Sequence, residues 1–287
     1  MIPSWYYTLA IYFVASSSYS LLQRKYAQSS KIPLKLIPAI VFGLIVYPVA
    51  ILLALFLGNI WVHWQWQTVS LLLLAGFAIG AFNVTPFRIN KHIDTTQYLI
   101  VSNIYTPVVV LIGVFLLGEA FSGLQFVGMT LLILGAILVA AKGFKKSTFS
   151  FDKYSVELAL LAVLLGIGLA SEKAVLSYMS PSAYMIFGWG LQTIFTFYFA
   201  REDLHHIPKI DREGVVELFQ LGTARSGHVI GFFMSVALSE KVALMASVTS
   251  FRIPLVFVAG YFVLKERDHL VRKLVGVGIA TVGLLLL

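Results

Sequence analysis

Cysteine is absent from the chain, which excludes disulfides, thiolate metal sites and a cysteine nucleophile and leaves the redox compartment unspecified. Charge is scarce as well. Only 12% of the 287 residues are Asp, Glu, Lys or Arg, against roughly a quarter in an ordinary soluble domain, so a surface solvated by bulk water is excluded. Acidic residues are rarer than basic ones, 13 against 21, and the formal net charge is +8. The basic excess does not point to nucleic acid, because the lysines and arginines fall in short loops between apolar runs and form no basic, aromatic-interleaved groove. No nucleotide-binding motif is present, so ATP coupling within this chain is not expected.

Hydrocarbon is what the chain has in excess. Hydrophobic residues make up 59% of it, in runs close to the ~20 residues that a helix needs to cross a bilayer. Ten such windows are predicted, at 4–22, 36–57, 69–89, 96–117, 123–141, 156–176, 183–200, 215–238, 243–264 and 270–287. The first is expected to be a span and not a signal peptide, since no basic segment precedes it and no small-residue cleavage pattern follows. Between the fourth and fifth windows only Gly118, Glu119, Ser122 and Gly123 interrupt the apolar run. A glutamate between turn-forming residues is too costly in lipid to continue a helix, so a tight interfacial turn is predicted there.

The chain also repeats itself. A displacement of 147 residues brings Pro107 onto Pro254, Gly113 onto Gly260 and Glu119 onto Glu266, and one further inserted residue brings Gly128 and Gly135 onto Gly276 and Gly283. Two five-span units are therefore predicted, 1–141 and 155–287, with 142–154 as linker. Five is odd, so the second copy enters the membrane from the opposite side. The expected fold class is an all-α membrane protein of ten transmembrane helices in two inverted-topology five-helix repeats, an architecture used by alternating-access carriers.

The stretch from Tyr105-Thr106-Pro107 to Leu117-Gly118-Glu119 and the Gly128 to Gly135 helix are echoed by Arg252-Ile253-Pro254, Lys265-Glu266 and Gly276 to Gly283. With ten spans, this pattern resembles the drug/metabolite transporter superfamily, and within it proteins of two EamA-type domains, over nearly the whole chain. The resemblance implies a carrier or exporter of small metabolites with a central cavity walled mainly by spans one, three, four, six, eight and nine.

Seventeen of the 21 lysines and arginines lie in loops after odd-numbered spans, while the even loops hold only Lys173 and Lys241. Cytoplasmic loops collect such residues. The bias predicts a multi-pass protein of the cytoplasmic (inner) membrane with odd loops in the cytoplasm and both termini outside, whereas relatives in the superfamily are generally drawn with both ends in the cytosol.

Polar stripes on apolar helices are where a carrier places its ligands. Span one carries Tyr12, Ser16, Tyr19 and Gln23 on one face, span four Tyr98, Ser102 and Tyr105, and span three Gly76, Gly80 and Asn83. The bland reading is hydrogen-bonded packing between helices; the functional one is a cavity lining, with Tyr12, Tyr19, Asn83, Ser102 and Tyr105 as substrate-binding residues. Pro107 and Pro254 lie within spans four and nine, where each removes a helix hydrogen bond, and are predicted hinges. Arg225, with His228 on the same face, and Arg252, one turn after Thr249, lie roughly ten residues or about 15 Å into their windows. A charged arginine there costs at least about 2.5–3.5 kcal/mol, so a partner is required. A carboxylate or phosphate on the substrate supplies one, the alternative being carbonyls freed by Pro254 or Glu172. The resemblance adds that organic-phosphate exchangers of the superfamily carry basic residues in the corresponding ninth span. Glu172 and Lys173, near the end of span six, are expected at a mouth, with their charged heads snorkelling.

Other motifs carry less. Trp5, Tyr6 and Tyr7, and Trp61, Trp64 and Trp66 around His63, read as interfacial aromatics. Ser150 and Lys153 have a serine–lysine spacing without a partner motif. Adjacent His205 and His206 are expected to point apart and hold no metal, and Asn83-Val-Thr85 is a glycosylation acceptor inside a span, where it cannot be modified. The sequence predicts a transporter or exporter of small polar, anionic metabolites, not an enzyme, with no cofactor and no metal. Its partners are the solute and the bilayer; monomer and homodimer stay open. The alternative readings are a lipid-flipping or assembly subunit, for which the glycine pairs would be packing faces, and, further off, a membrane-embedded enzyme.

Overall fold

Short polar residues open the helices. Asp94 accepts a hydrogen bond from the Gln97 amide at 3.0 Å, Ser180 takes that of Ala183, and Asp152 takes those of Tyr154 and Ser155. Ser122 and Gln125 form a reciprocal capping box. Each satisfies amides that the first helical turn leaves without a partner. The computed structural model describes residues 5–117, 122–141, 152–239, 252–266 and 268–286. Gly118, Glu119, Lys241, Thr249, Ser150 and most of the 142–154 linker lie outside these residues, as do the side chains of Trp5 and Tyr6.

The helices are α1 (Trp5–Ser29), α2 (Leu36–Leu57) and α3 (Trp66–Asn83, continued after a turn by Pro86–Asn90). Then come α4 in two pieces (Thr95–Ser102 and Tyr105–Leu117), α5 (Gly123–Ala140), α6 (Lys153–Val175), α7 (Pro181–Phe199), α8 (Arg212–Ser239), α9 (Arg252–Leu264) and α10 (Leu270–Leu286). A 3-10 segment, Arg201–Lys209, links α7 to α8. No strand occurs among the described residues, only an isolated bridge between Val62 and Met179.

Five segments, Leu36–Leu57, Trp66–Asn90, Thr95–Phe115, Gly123–Ala140 and Lys153–Val175, are long and apolar enough to cross a membrane. Their outer faces and those of their neighbours are apolar, with Phe56 at 87% and Phe115 at 79% exposure. In water such a surface would drive aggregation; in lipid it is solvated. Within the described residues the helices match the predicted windows closely except that α1 runs to Ser29 and not Leu22, and the first part of the ninth window, 243–264, lies outside those residues. The polar extension is held by partners: Arg24 pairs with Glu266, and the Tyr26 hydroxyl donates to Gln220. Two π-helical segments, Val41–Val46 in α2 and Gly260–Leu264 in α9, have no counterpart in the predicted elements.

Among the described residues, contacts link the loops into two groups. At one end loop one meets loop seven and the start of α8 through Lys35–Glu202 and Lys31–Glu213, and loop three meets the start of α6 through Arg88–Glu157. At the other, loops two and six join through backbone bonds from His63 to Tyr178 and from Ser180 to Trp61.

The largest helix contacts come in pairs related by exchanging each helix for the one five places away. α1 packs on α8 as α6 does on α3, α7 on α3 as α2 on α8, and α4 on α6 as α9 on α1, while α5–α10 and α2–α7 pair with themselves. Glycine sets the closeness of these contacts. A Cβ at Gly135 would lie 2.9 Å from the Gly276 carbonyl oxygen, and one at Gly283 would lie 2.6 Å from the Leu132 amide nitrogen. Such small residues let backbones approach where lipid offers no hydrophobic drive to associate. The glycine pairs are thus spent on the α5–α10 contact inside the chain, not on an outer packing face. Gly76 and Gly80 do the same against Leu191 and Phe195 of α7.

Candidate functional site

A cavity of about 290 Å³ lies among all the helices except α5 and α10. Seven of the eight predicted substrate-binding residues, Tyr19, Asn83, Ser102, Tyr105, Arg225, His228 and Arg252, line it. A larger crevice of about 390 Å³ between α4, α5 and α6 is apolar, with Ser155 its only hydroxyl, and offers nothing to a polar solute.

The basic cluster is the most organised part of the wall. Arg225 Nη1 lies 3.3 Å from His228 Nδ1, and Arg252 Nη1 lies 3.4 Å from His228 Nε2. The Arg225 guanidinium also sits over the Tyr19 ring at 5.1 Å, a cation–π contact. Among the described residues no carboxylate lies within ion-pairing distance of either arginine. The guanidinium donors that do not face the imidazole can therefore meet an acceptor from the cavity.

Tyr12 is the one predicted residue outside this lining. It is buried, its ring 5.3 Å from that of His228 and 5.8 Å from that of Phe232. A Cβ at Gly231 would come within 2.9 Å of the Tyr12 amide nitrogen, so α8 packs closely on α1 at this point and the Tyr12 ring braces His228. Ser16, on the same face, is fully buried and donates to the Phe13 carbonyl.

Glu172, half-buried near the end of α6 beside the exposed Lys173, lines the cavity and hydrogen-bonds Tyr184 of α7, whose hydroxyl also accepts from Gln192 at 3.0 Å. Gln192 and Trp189 of α7 and Phe42 of α2 complete the wall, so spans two and seven contribute beyond the six expected. Gln192 carried a signal: it is a lone amide in the middle of an apolar window.

Polar residues of the stripes line the cavity and also bond within the bundle. Asn83 lines the cavity and donates to the Thr196 hydroxyl of α7 at 3.5 Å, and Ser102 lines it while donating to the Leu99 carbonyl. Near Pro107, α4 breaks at Asn103–Ile104. The missing proline amide does not expose a carbonyl there, because the Asn103 oxygen accepts from the Thr106 amide at 2.9 Å. Pro254 is the third residue of α9, and the segment preceding α9 lies outside the described residues. His205 and His206, expected to point apart, have ring centroids 3.9 Å apart within the 3-10 segment.

No family profile matches the sequence, and no curated protein does. A solved crystal structure is similar over 96% of this chain and 95% of its own, with a TM-score of 0.56 and 18% sequence identity. At that identity the likeness shows a shared fold and says nothing of the solute.

Proposed function

We propose that this chain is a secondary transporter of the cytoplasmic membrane, moving a small polar metabolite with an anionic group by rocking two inverted five-helix repeats across ten spans. The observation that carries the reading is the convergence of Arg225, Arg252 and His228 on one cavity with no carboxylate partner among the described residues. Two charges inside the helix bundle without a counter-ion among the described residues are costly in a bilayer, and an anion bound by bidentate guanidinium geometry offsets that cost. The pairing of the largest helix contacts under exchange of the two halves supports an inverted repeat, and the linking of loops into two groups supports alternating spans. The resemblance to two-domain drug/metabolite transporters points the same way.

A thermal-shift screen of the detergent-purified protein against metabolites grouped by charge tests the substrate class, since a ligand that binds only the folded state raises its melting temperature. Stabilisation by carboxylates or phosphates, followed by their counterflow in proteoliposomes, is the expected result. Stabilisation by cations alone would overturn it, and lipid scrambling without solute flux would favour a lipid-flipping protein.

A further inference from the structure

At the end where the odd-numbered loops gather, buried charges fasten one half of the chain to the other. Arg24, near the end of α1, places Nε 3.3 Å from Oε1 of Glu266, which follows α9, and the two side chains are only 13% and 9% exposed. Both Glu266 oxygens accept from the Thr95 amide, at 3.0 and 3.1 Å, and Oε1 also accepts from the Thr95 hydroxyl at 3.1 Å. Arg24 further donates to the Asn90 carbonyl. One residue before Thr95, Asp94 meets Lys273 of α10 at 2.7 Å, and that lysine is 3% exposed. The α1 end and the α3–α4 corner of the first half are thereby tied to the α9–α10 corner of the second.

The network adjoins the cavity. Gln23, the neighbour of Arg24, lines the wall, and so does Tyr98, whose amide bonds to the Asp94 carbonyl one turn from the ion pairs. Solute leaving the cavity toward this end would have to part these groups. The exposed pairs of the same end, such as Lys31–Glu213, are solvated and contribute little. A buried pair fixes geometry strongly while its desolvation offsets much of its attraction. That balance suits a contact that must form and break in each cycle.

We propose that Arg24–Glu266–Thr95, braced by Lys273–Asp94, is the gate that closes the cavity at the odd-loop end. The proposal rests on the transporter reading for its purpose but not for its test, which measures access and not flux. Because the native chain has no cysteine, a single Ser102→Cys substitution places one thiol in the cavity of the otherwise native protein. A membrane-impermeant maleimide is applied to sealed vesicles from the side bearing residues 24 and 266, with Lys31→Cys, whose side chain is 79% exposed, as the control for sidedness. Arg24→Gln or Glu266→Gln is expected to raise the labelling rate of Cys at 102 by about tenfold, as the open population grows. The charge exchange Arg24→Glu with Glu266→Arg should return it toward the parent rate. Should either neutralised variant fail to fold, Thr95→Val removes the hydroxyl contact alone and should raise labelling in the same direction. Unchanged labelling in the folded variants, or an exchange no slower than the single changes, means a permanent staple and overturns the gate. Altered labelling without solute flux would keep the gate and reject the transporter; flux with unaltered labelling would do the reverse.

Discussion

Arg225 and Arg252 come from different helices and meet opposite nitrogens of one imidazole, at 3.3 Å from Nδ1 and 3.4 Å from Nε2 of His228. An imidazole ring has at most one acceptor nitrogen. At most one guanidinium can therefore donate to it, and the other faces the ring without a true hydrogen bond. The cluster gathers more donors than acceptors, which is the condition an anionic ligand relieves.

Close packing of α5 on α10 is open to a simple contrast. Gly283→Ala puts a Cβ 2.6 Å from the Leu132 amide nitrogen, whereas a Cβ at Gly278 meets nothing within 4 Å. Overpacking of this kind costs about 1–3 kcal/mol. Melting in detergent should fall clearly for Gly283→Ala and hold or rise for Gly278→Ala, where alanine also favours the helix. Equal melting temperatures would show that the helices do not touch as described.

Pro107 sits just after the break in α4 at Asn103–Ile104. Replacing it by alanine supplies the missing amide and lets the helix close. The expected effect is slower transport with little change in KM or in melting temperature, the signature of an altered conformational step. A fall in expression and stability with normal turnover of the surviving protein would make the proline a packing residue only.

The lysine and arginine bias of the odd loops predicts an orientation with both termini outside. A green fluorescent protein fused after Leu287 should stay dark and an alkaline phosphatase fused there should be active. The reverse pattern would place both termini in the cytoplasm.

Glu266, outside the apolar spans, gives a pH dependence. Burial first, and the neighbouring Asp94 next, raise its carboxyl above the usual 4.5, against the opposing pull of the Thr95 hydrogen bonds and Arg24. A carboxyl with a raised value binds its proton more tightly in the folded state, so its contribution to stability is present below pH 4.5 and is lost as pH rises through the raised value. Melting curves from pH 4 to 8 should show the wild type losing stability over that window relative to Glu266→Gln. Parallel curves would mean that the burial is not felt.

Much of this organisation is legible in the sequence, and the reason is the solvent. Hydrocarbon demands apolar lengths, which sets the helix windows, and it penalises polar atoms, which makes Arg225, Arg252, Asn83 and Tyr105 stand out from their apolar surroundings. What stays hidden depends on neighbours. Periodicity puts Tyr12 and Tyr19 on the same face of α1, yet Tyr19 is in the lining of the cavity while the Tyr12 ring packs on His228 and Phe232 of α8. Position along α6 announces no partner for Glu172, and Tyr184 of another helix supplies one. The Arg24–Glu266 pair joins positions 242 residues apart, and no local pattern announces it.

The central claim is that the arginines hold an anionic solute. Its most direct test is the affinity of reconstituted wild type, Arg225→Gln and Arg252→Gln for a carboxylate or phosphate found by the charge-sorted screen, beside Lys209→Gln as an exposed control. Hydrogen bonds to charged groups contribute about 1.5–3 kcal/mol, so each cavity variant should lose roughly tenfold to a hundredfold in affinity while the control loses nothing. Unchanged anion affinity in both folded arginine variants would contradict the account.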